Sequence, residues 1–207
     1  MTMPPTPVTE SQEVVAAWRR LDEAKALSPL SLSARVPGQP AMDAVVNGAQ
    51  HRVAFEERAA EPLGTLHGEI YRRRPDVGAI VVARPRWASA LALTHAPVPG
   101  LFDEQVRQLG RRVERLAELS QLSSRHCAYV WGDGVLCLGV TLERAVFNVE
   151  LLEKCSQAYL LATSTGLKVF TVPLWVREIA FHRLKKDQAR AAMAWARGEK
   201  PGGFTAY

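Results

Sequence analysis

LHGEIYRRRPDVGAIV, residues 66–81, predicts a helix, a stop and a buried strand in immediate succession. Pro62 suits the first turn of that helix, where an N–H group has no helical partner to bond. An apolar stripe at helical spacing supports the helix and consists of Leu63, Leu66, Ile70 and Tyr71. Pro75 and Asp76 end it, since the residue before a proline is driven out of helical geometry. Residues 77–82 are almost all apolar, which favours a strand buried on both faces.

The residues before this stretch predict one helix and three strands. Thr9 is a candidate N-cap with Gln12 as its capping-box partner, and Pro29 stops the helix. Asn47–Gly48 is a strong hairpin signal between the second and third strands. The predicted strands are 31–36, 42–46 and 52–55.

Helices and strands continue to alternate after residue 82. The predicted helices are 87–93, 102–119, 141–162 and 173–197, and the predicted strands are 127–131 and 135–138. We therefore expect residues 9–197 to form one α/β domain, of the layered α+β kind. A loose N-terminal segment, 1–8, and a loose tail, 198–207, are expected on either side.

Composition limits the class of protein. The 207 residues are 47% hydrophobic and 23% charged, as in an ordinary soluble domain. No stretch approaches the ~20 apolar residues of a membrane-spanning helix, and residues 1–12 do not resemble a secretory signal. Lys and Arg number 26 against 21 Asp and Glu, but the basic residues are dispersed, so nucleic acid is not an expected partner. Cys127, Cys137 and Cys155 cannot all pair with one another, which favours reduced core thiols in a cytoplasmic protein.

The usual signatures of catalytic sites are lacking. The sequence has no phosphate loop, no G-x-G-x-x-G, no G-x-S-x-G, no C-x-x-C and no H-E-x-x-H. No two of the five histidines have a short metal-ligand spacing. The residues alone therefore predict a soluble α/β domain with no metal and no cofactor.

Three motifs, in order, resemble the class II aldolase/adducin family. Residues 66–81 look like its helix and strand "lHxxiYxxrPDv", and residues 134–145, GVLCLGVTLERA, look like "HGvlvvGxtleeA". Residues 33–38, SARVPG, are similar to the family's "SvRlPG". The resemblance covers roughly residues 13–170. It implies a mainly antiparallel central sheet flanked by helices, and a homo-oligomer, typically a tetramer with sites between subunits.

The resemblance also implies where a metal site belongs. The family's enzymes bind a divalent metal, typically zinc, through an H-x-H after the "rPDv" strand and through the histidine of "nHG". A glutamate before the helix is the acid/base. In this sequence the H-x-H falls on Val82–Ala83–Arg84, the third histidine on Asp133 and the glutamate on Leu63. The family's phosphate-binding Gly-Asn falls on Leu30–Ser31. Since Val82 has no donor atom and Arg84 is a permanent cation, we predict that the metal site is lost.

Several residues near these positions are candidates for binding. Arg84 and Asp133 either form an ion pair in place of the metal, or leave Arg84 available for a carboxylate or phosphate. His95, in a proline-containing loop, and Trp87, at a helix start, are further ligand-binding candidates. Solvation of the loop and core packing are the competing interpretations of these two residues.

Three functions follow from these assignments. The first is a non-catalytic family member that binds a small anionic metabolite or a partner protein. The alternative is a metal-independent lyase or isomerase acting on a carbonyl or sugar-acid substrate, with Arg84 as electrophile and Glu61, His67 or Asp133 as proton carrier. His67 is equally interpreted as a packed, hydrogen-bonded residue. The third is a basic-surface module using residues 72–74 and the last helix.

Overall fold

The computed structural model describes residues 10–57, 61–94 and 97–202. The predicted segment 1–8, the N-cap Thr9 and the candidate His95 lie outside these residues, as does 203–207 of the predicted tail.

The described residues form helices and strands in alternation along the chain. The helices are α1 (Glu10–Glu23), α2 (Pro62–Arg73), α3 (Arg86–Ala92), α4 (Asp103–Leu109), α5 (Leu142–Ser164) and α6 (Leu174–Ala196). The strands are β1 (Pro29–Arg35), β2 (Ala41–Val46), β3 (Ala49–Ala54), β4 (Ala79–Ala83), β5 (Val98–Pro99), β6 (Arg112–Arg115), β7 (Ala128–Trp131) and β8 (Gly134–Gly139), and Leu119–Gln121 is a turn of 3-10 helix.

One sheet organises the fold, with the strand order β3-β2-β1-β4-β8-β7-β6-β5. Neighbouring strands are antiparallel except β6 and β7, which are parallel. Side chains alternate across β4, so Ala79, Val81 and Ala83 pack with α1, α3 and α5. Ile80 and Val82 face the other layer, with α2 and Leu184 of α6. The prediction of a mainly antiparallel sheet flanked by helices is confirmed.

The predicted long helix at 102–119 is wrong. The helix α4 ends at Leu109, because Gly110 has a φ of +106°, a conformation that favours glycine and breaks helical geometry. The chain then forms β6, which pairs with β7 and buries Val113 in the core. The alternation of polar and apolar residues in β6 is too short to be recognised beside a charged helical pattern.

A buried ion pair holds the turn between α2 and β4. Arg74 donates from Nε and Nη2 to the two oxygens of Asp76, at 2.8 and 2.7 Å. Its Nη1 donates to the carbonyl oxygens of Ser123 and His126, at 2.6 and 3.1 Å. Both charged side chains are almost fully buried. The Arg and Asp of the "rPDv" motif therefore join α2, β4 and the loop before β7.

The short helix α3 is capped by a glutamate from a distant part of the chain. Pro85 precedes α3 and offers no side-chain cap. The carboxylate of Glu153, buried on α5, accepts hydrogen bonds from the backbone N–H of Trp87, at 2.9 and 3.0 Å, and of Ala88, at 2.9 Å. This contact fixes the start of the helix that follows Arg84.

We expect Glu153→Ala to lower the free energy of unfolding by about 2–4 kcal/mol, because two backbone N–H groups lose a charged acceptor. Urea denaturation followed by circular dichroism measures the change. The matched control is Lys154→Ala at the next, exposed position of α5, which should change stability by less than about 0.5 kcal/mol. Equal losses in the two variants would contradict the capping role.

Candidate functional site

Arg84 and Asp133 meet at one edge of the sheet, where β4 ends and the chain turns from β7 into β8. Ala83 pairs with Val135, which brings Arg84, the residue after β4, beside the β7–β8 turn. Arg84 Nε donates to Asp133 Oδ1 at 3.0 Å and lies 2.9 Å from Oδ2. The predicted ion pair is therefore present.

Gly134 permits this approach. A Cβ atom at that position would lie 2.4 Å from the carbonyl oxygen of Ala83 and 3.2 Å from Cγ of Arg84. The side chains of Arg84 and Asp133 remain 51% and 68% exposed, so the pair is open to solvent. The hydrogen bond from Arg84 lowers the pKa of Asp133, which keeps the carboxylate ionised beside the guanidinium.

The residues at this edge do not fit a catalytic zinc ion. Such a site needs three protein ligands and an open position. Val82 is buried and apolar, Arg84 is a permanent cation, and only Asp133 carries a donor oxygen. Across residues 10–57, 61–94 and 97–202, no three His, Cys, Asp or Glu side chains are grouped so that they would hold a metal ion. Leu63, at the acid/base position, has no titratable group.

His67 is sealed inside the protein. Its Nε2 lies 2.9 Å from Ser31 Oγ and its Nδ1 lies 2.7 Å from Ser33 Oγ. The Ser33 hydroxyl also bonds the hydroxyl of Tyr71, at 2.9 Å. Complete burial lowers the pKa of His67 to about 3, so the ring is neutral at physiological pH. This histidine therefore joins α2 to β1 and has no access to a ligand at the surface.

Glu61 lies in a different recess from the ion pair. It immediately precedes α2, and its side chain makes no capping hydrogen bond. It lines a cavity of about 240 Å³ together with His51 and Glu57, whereas Arg84 and Asp133 do not line that cavity. The proton carriers nominated from the sequence are thus distributed over three places, and only Asp133 contacts Arg84.

Trp87 is half-buried at the start of α3, and its backbone is fixed by Glu153. His95 is outside the described residues, so its role stays a prediction.

The sequence pattern does not predict the roles of several polar residues that the structure brings together. Glu153 caps α3 across a long sequence separation, which no local pattern reports. Arg107, Arg144 and Arg190 belong to three different helices and line a common cavity. The single helix predicted over 102–119 gave no indication of this convergence. In the structure Arg107 lies on the short helix α4, which ends at Leu109.

Residues 40–160 match the class II aldolase and adducin N-terminal domain. The chain belongs to this family. No curated protein sequence is significantly similar to it.

Solved structures of L-fuculose 1-phosphate aldolases have the same fold. An L-fuculose 1-phosphate aldolase superposes with a TM-score of 0.73 at 21% identity, over 88% of this chain and 98% of its own. The L-fuculose-1-phosphate aldolase of Thermus thermophilus has a TM-score of 0.62 at 24% identity, over 76% of this chain and 100% of its own. The enzyme of Glaciozyma antarctica has a TM-score of 0.64 at 18% identity, over 97% of both chains. At these identities the likeness establishes the fold and not the activity.

The motifs that this class II aldolase/adducin member retains have structural roles in it. Arg74 and Asp76 form the buried ion pair, and His67 and Tyr71 bond the serines of β1. None of the described helices is both long enough and apolar enough to cross a membrane.

His67 makes stability depend on pH. The unfolded ring takes up a proton below about pH 6.5, whereas the folded ring does so only near a pKa of about 3. Between these values the unfolded chain binds more protons, so the free energy of unfolding falls as the pH falls. We expect His67→Gln to reduce this slope by up to about 1.4 kcal/mol per pH unit between about pH 4 and 6.

Urea denaturation at a series of pH values measures that slope. The matched control, His182→Gln on the exposed side of α6, retains the buried ring and should keep the wild-type slope. An unchanged slope in folded His67→Gln would show that the ring is not held neutral.

Proposed function

We propose that this chain is a class II aldolase/adducin family member without the metal centre, and that its role is binding rather than catalysis. The observation that carries the proposal is the Arg84–Asp133 ion pair at the positions where the family's enzymes are expected to hold their metal. Its predicted ligand is a small anionic metabolite or a partner protein, in a cytoplasmic setting and with no cofactor.

The chemistry of the donor set supports this proposal. A guanidinium has five N–H donors and no lone pair to offer a metal, and it stays charged at any physiological pH. Asp133 alone would bind a metal ion weakly, and its negative charge is already balanced by Arg84. The carboxylate expected at the position of Leu63 is replaced by a side chain that can neither give nor take a proton.

The exposure of Arg84 supports anion binding at this edge. Asp133 accepts the hydrogen bond from Nε of Arg84, and half of the Arg84 side chain is exposed to solvent. The remaining N–H groups have the fork geometry that suits a carboxylate or a phosphate.

The metal-independent lyase or isomerase stays the alternative. It needs Arg84 as electrophile and a titratable group on the same substrate. Asp133 is the candidate that contacts Arg84, whereas His67 is sealed in the interior and Glu61 lines another cavity.

Zinc content and aldol cleavage test the proposal together. We expect tag-free protein that has been offered zinc, manganese and iron to retain far less than one metal per chain by elemental analysis. We also expect no metal-dependent cleavage of L-fuculose 1-phosphate, the substrate named for the structural relatives. Stoichiometric metal, or metal-dependent cleavage, would overturn the proposal.

The alternative has its own readout. Arg84→Ala and the exposed neighbour Arg86→Ala are compared in a screen for retro-aldol and epimerase turnover of sugar acids. Turnover that Arg84→Ala abolishes and Arg86→Ala keeps would establish the metal-independent enzyme. Absence of turnover in the wild-type protein supports the binding role.

We further propose that the chain forms a homo-oligomer, a tetramer by family resemblance. An exposed apolar strip supports self-association and comprises Leu167, Phe170, Leu174, Trp175 and Ile179. Phe170 and Trp175 are 80% and 69% exposed, although aromatic side chains of this size are normally covered. Exposed apolar patches mark interaction sites in soluble proteins.

Light scattering coupled to size-exclusion chromatography measures the assembly. We expect an oligomeric wild-type protein and a smaller species for Trp175→Glu, because a charge on the strip opposes its burial. The matched control is Met193→Glu at an exposed position elsewhere on α6, which should keep the wild-type mass. A monomeric wild-type protein, or an unchanged mass for Trp175→Glu, would contradict assembly through this strip.

A further inference from the structure

A cavity of about 560 Å³ lies between α4, the start of α5 and the second half of α6. Its walls are unusually rich in arginine. Four guanidinium side chains and one carboxylate line it, namely Arg107, Arg144, Arg190, Arg197 and Asp187. Neither Arg84 nor Asp133 lines this cavity, so it is separate from the edge of the sheet described above.

Arg144 is held in place before any ligand arrives. Its Nε donates to Oε1 of Gln108 at 2.6 Å, and its terminal nitrogens lie 3.0 and 3.1 Å from Oδ2 of Asp187. The side chain is only 9% exposed. The one carboxylate that lines the cavity among the described residues is therefore already engaged with one of the four arginines.

Two of the other arginines have no counter-charge in the described part of the chain. Arg197 pairs with Glu199 at 2.9 Å. Arg107 and Arg190 form no ion pair with any of the described residues, and Nε of Arg107 is buried there without a hydrogen-bond acceptor. A concave site lined mainly by cations raises the local concentration of anions. A buried N–H donor without an acceptor lowers the stability of the folded protein.

We propose that this cavity binds a small oxyanion, a phosphorylated or carboxylated molecule, between Arg107 and Arg190. Arginine forks match phosphate and carboxylate oxygens in geometry and charge. The cavity also has an apolar part, formed by Val140, Ala191 and Ala194, against which the carbon skeleton of a metabolite packs. Its volume is within the range of small-molecule sites. The proposal does not depend on what binds at Arg84.

Calorimetric titration of the full-length chain with inorganic phosphate, pyrophosphate and citrate, at low ionic strength, tests the site. The variant Arg107→Ala/Arg190→Ala removes two charges from the cavity. Arg19→Ala/Lys25→Ala removes two exposed charges in and just after α1, away from the cavity, and serves as the matched control. Roughly tenfold weaker binding is expected for each cavity arginine that is lost, and unchanged binding is expected for the control.

The different anions and variants in this titration distinguish the classes of ligand and the results that would overturn the proposal. Preference for pyrophosphate assigns the site to phosphorylated molecules, and preference for citrate assigns it to carboxylates. No binding by the wild-type chain, or equal weakening in the two double variants, would overturn the proposal. So would tight binding of a labelled single-stranded oligonucleotide without binding of the small anions, since that result assigns the surface to nucleic acid.

Hydrogen exchange of the wild-type chain gives a second measurement that needs no variant. Pyrophosphate should protect backbone amides at 103–109, 140–145 and 187–197, in the segments that line the cavity. Protection confined to other segments would contradict the assignment, even if the double variant failed to fold.

Discussion

The bidentate ion pair between Arg74 and Asp76 is the contact on which the rest of this structure depends. It lies in the interior where α2 ends and the chain enters β4, the strand at the centre of the sheet. Removing one partner of such a buried pair leaves an uncompensated charge, at a typical cost of about 3–5 kcal/mol. The same guanidinium also donates hydrogen bonds to two carbonyl oxygens of the loop before β7. One side chain thus sets the relative position of the two strands whose ends form the candidate site.

The buried residues of the family motifs and the exposed residues of the candidate site obey different physical constraints. His67, Tyr71 and the serines of β1 are buried polar groups, so each must keep its partner or lose stability. Arg84 and Asp133 are exposed at the edge of the sheet, where a substitution costs the fold little. The fold therefore tolerates an ion pair at this edge of the sheet, and its function has to be argued from the site and not from the family alone.

Guanidinium N–H groups that no carboxylate of the described residues engages are common to the two places where we propose anion binding. At Arg84 one carboxylate already engages the guanidinium, and the site is open to solvent and to ionic screening. In the arginine-lined cavity the aspartate is engaged with Arg144, and three further arginines line the same concave volume. Electrostatic attraction of an anion is stronger in a concave site that several cations line than at a single exposed cation.

Much of the fold could be predicted from local patterns. The helix α2, the turn at Pro75–Asp76 and the apolar strand β4 follow from periodicity and from proline geometry, which act over a few residues. The hairpin at Asn47–Gly48 follows from the positive φ angles that its two residues adopt, +49° and +82°. The motif order was sufficient to indicate the family and to locate Arg84 and Asp133 at positions that meet.

Contacts between distant segments were decided only by the tertiary structure. Residues 102–119 carry a helical pattern, yet the pairing of β6 with β7 and the burial of Val113 outweigh it. The cap that Glu153 provides for α3 and the convergence of Arg107, Arg144 and Arg190 join elements far apart in the chain. By itself the sequence determined which residues carry charge and which are apolar. Packing decided which charges face one another, because burial and ion pairing depend on distances in space and not on positions along the chain.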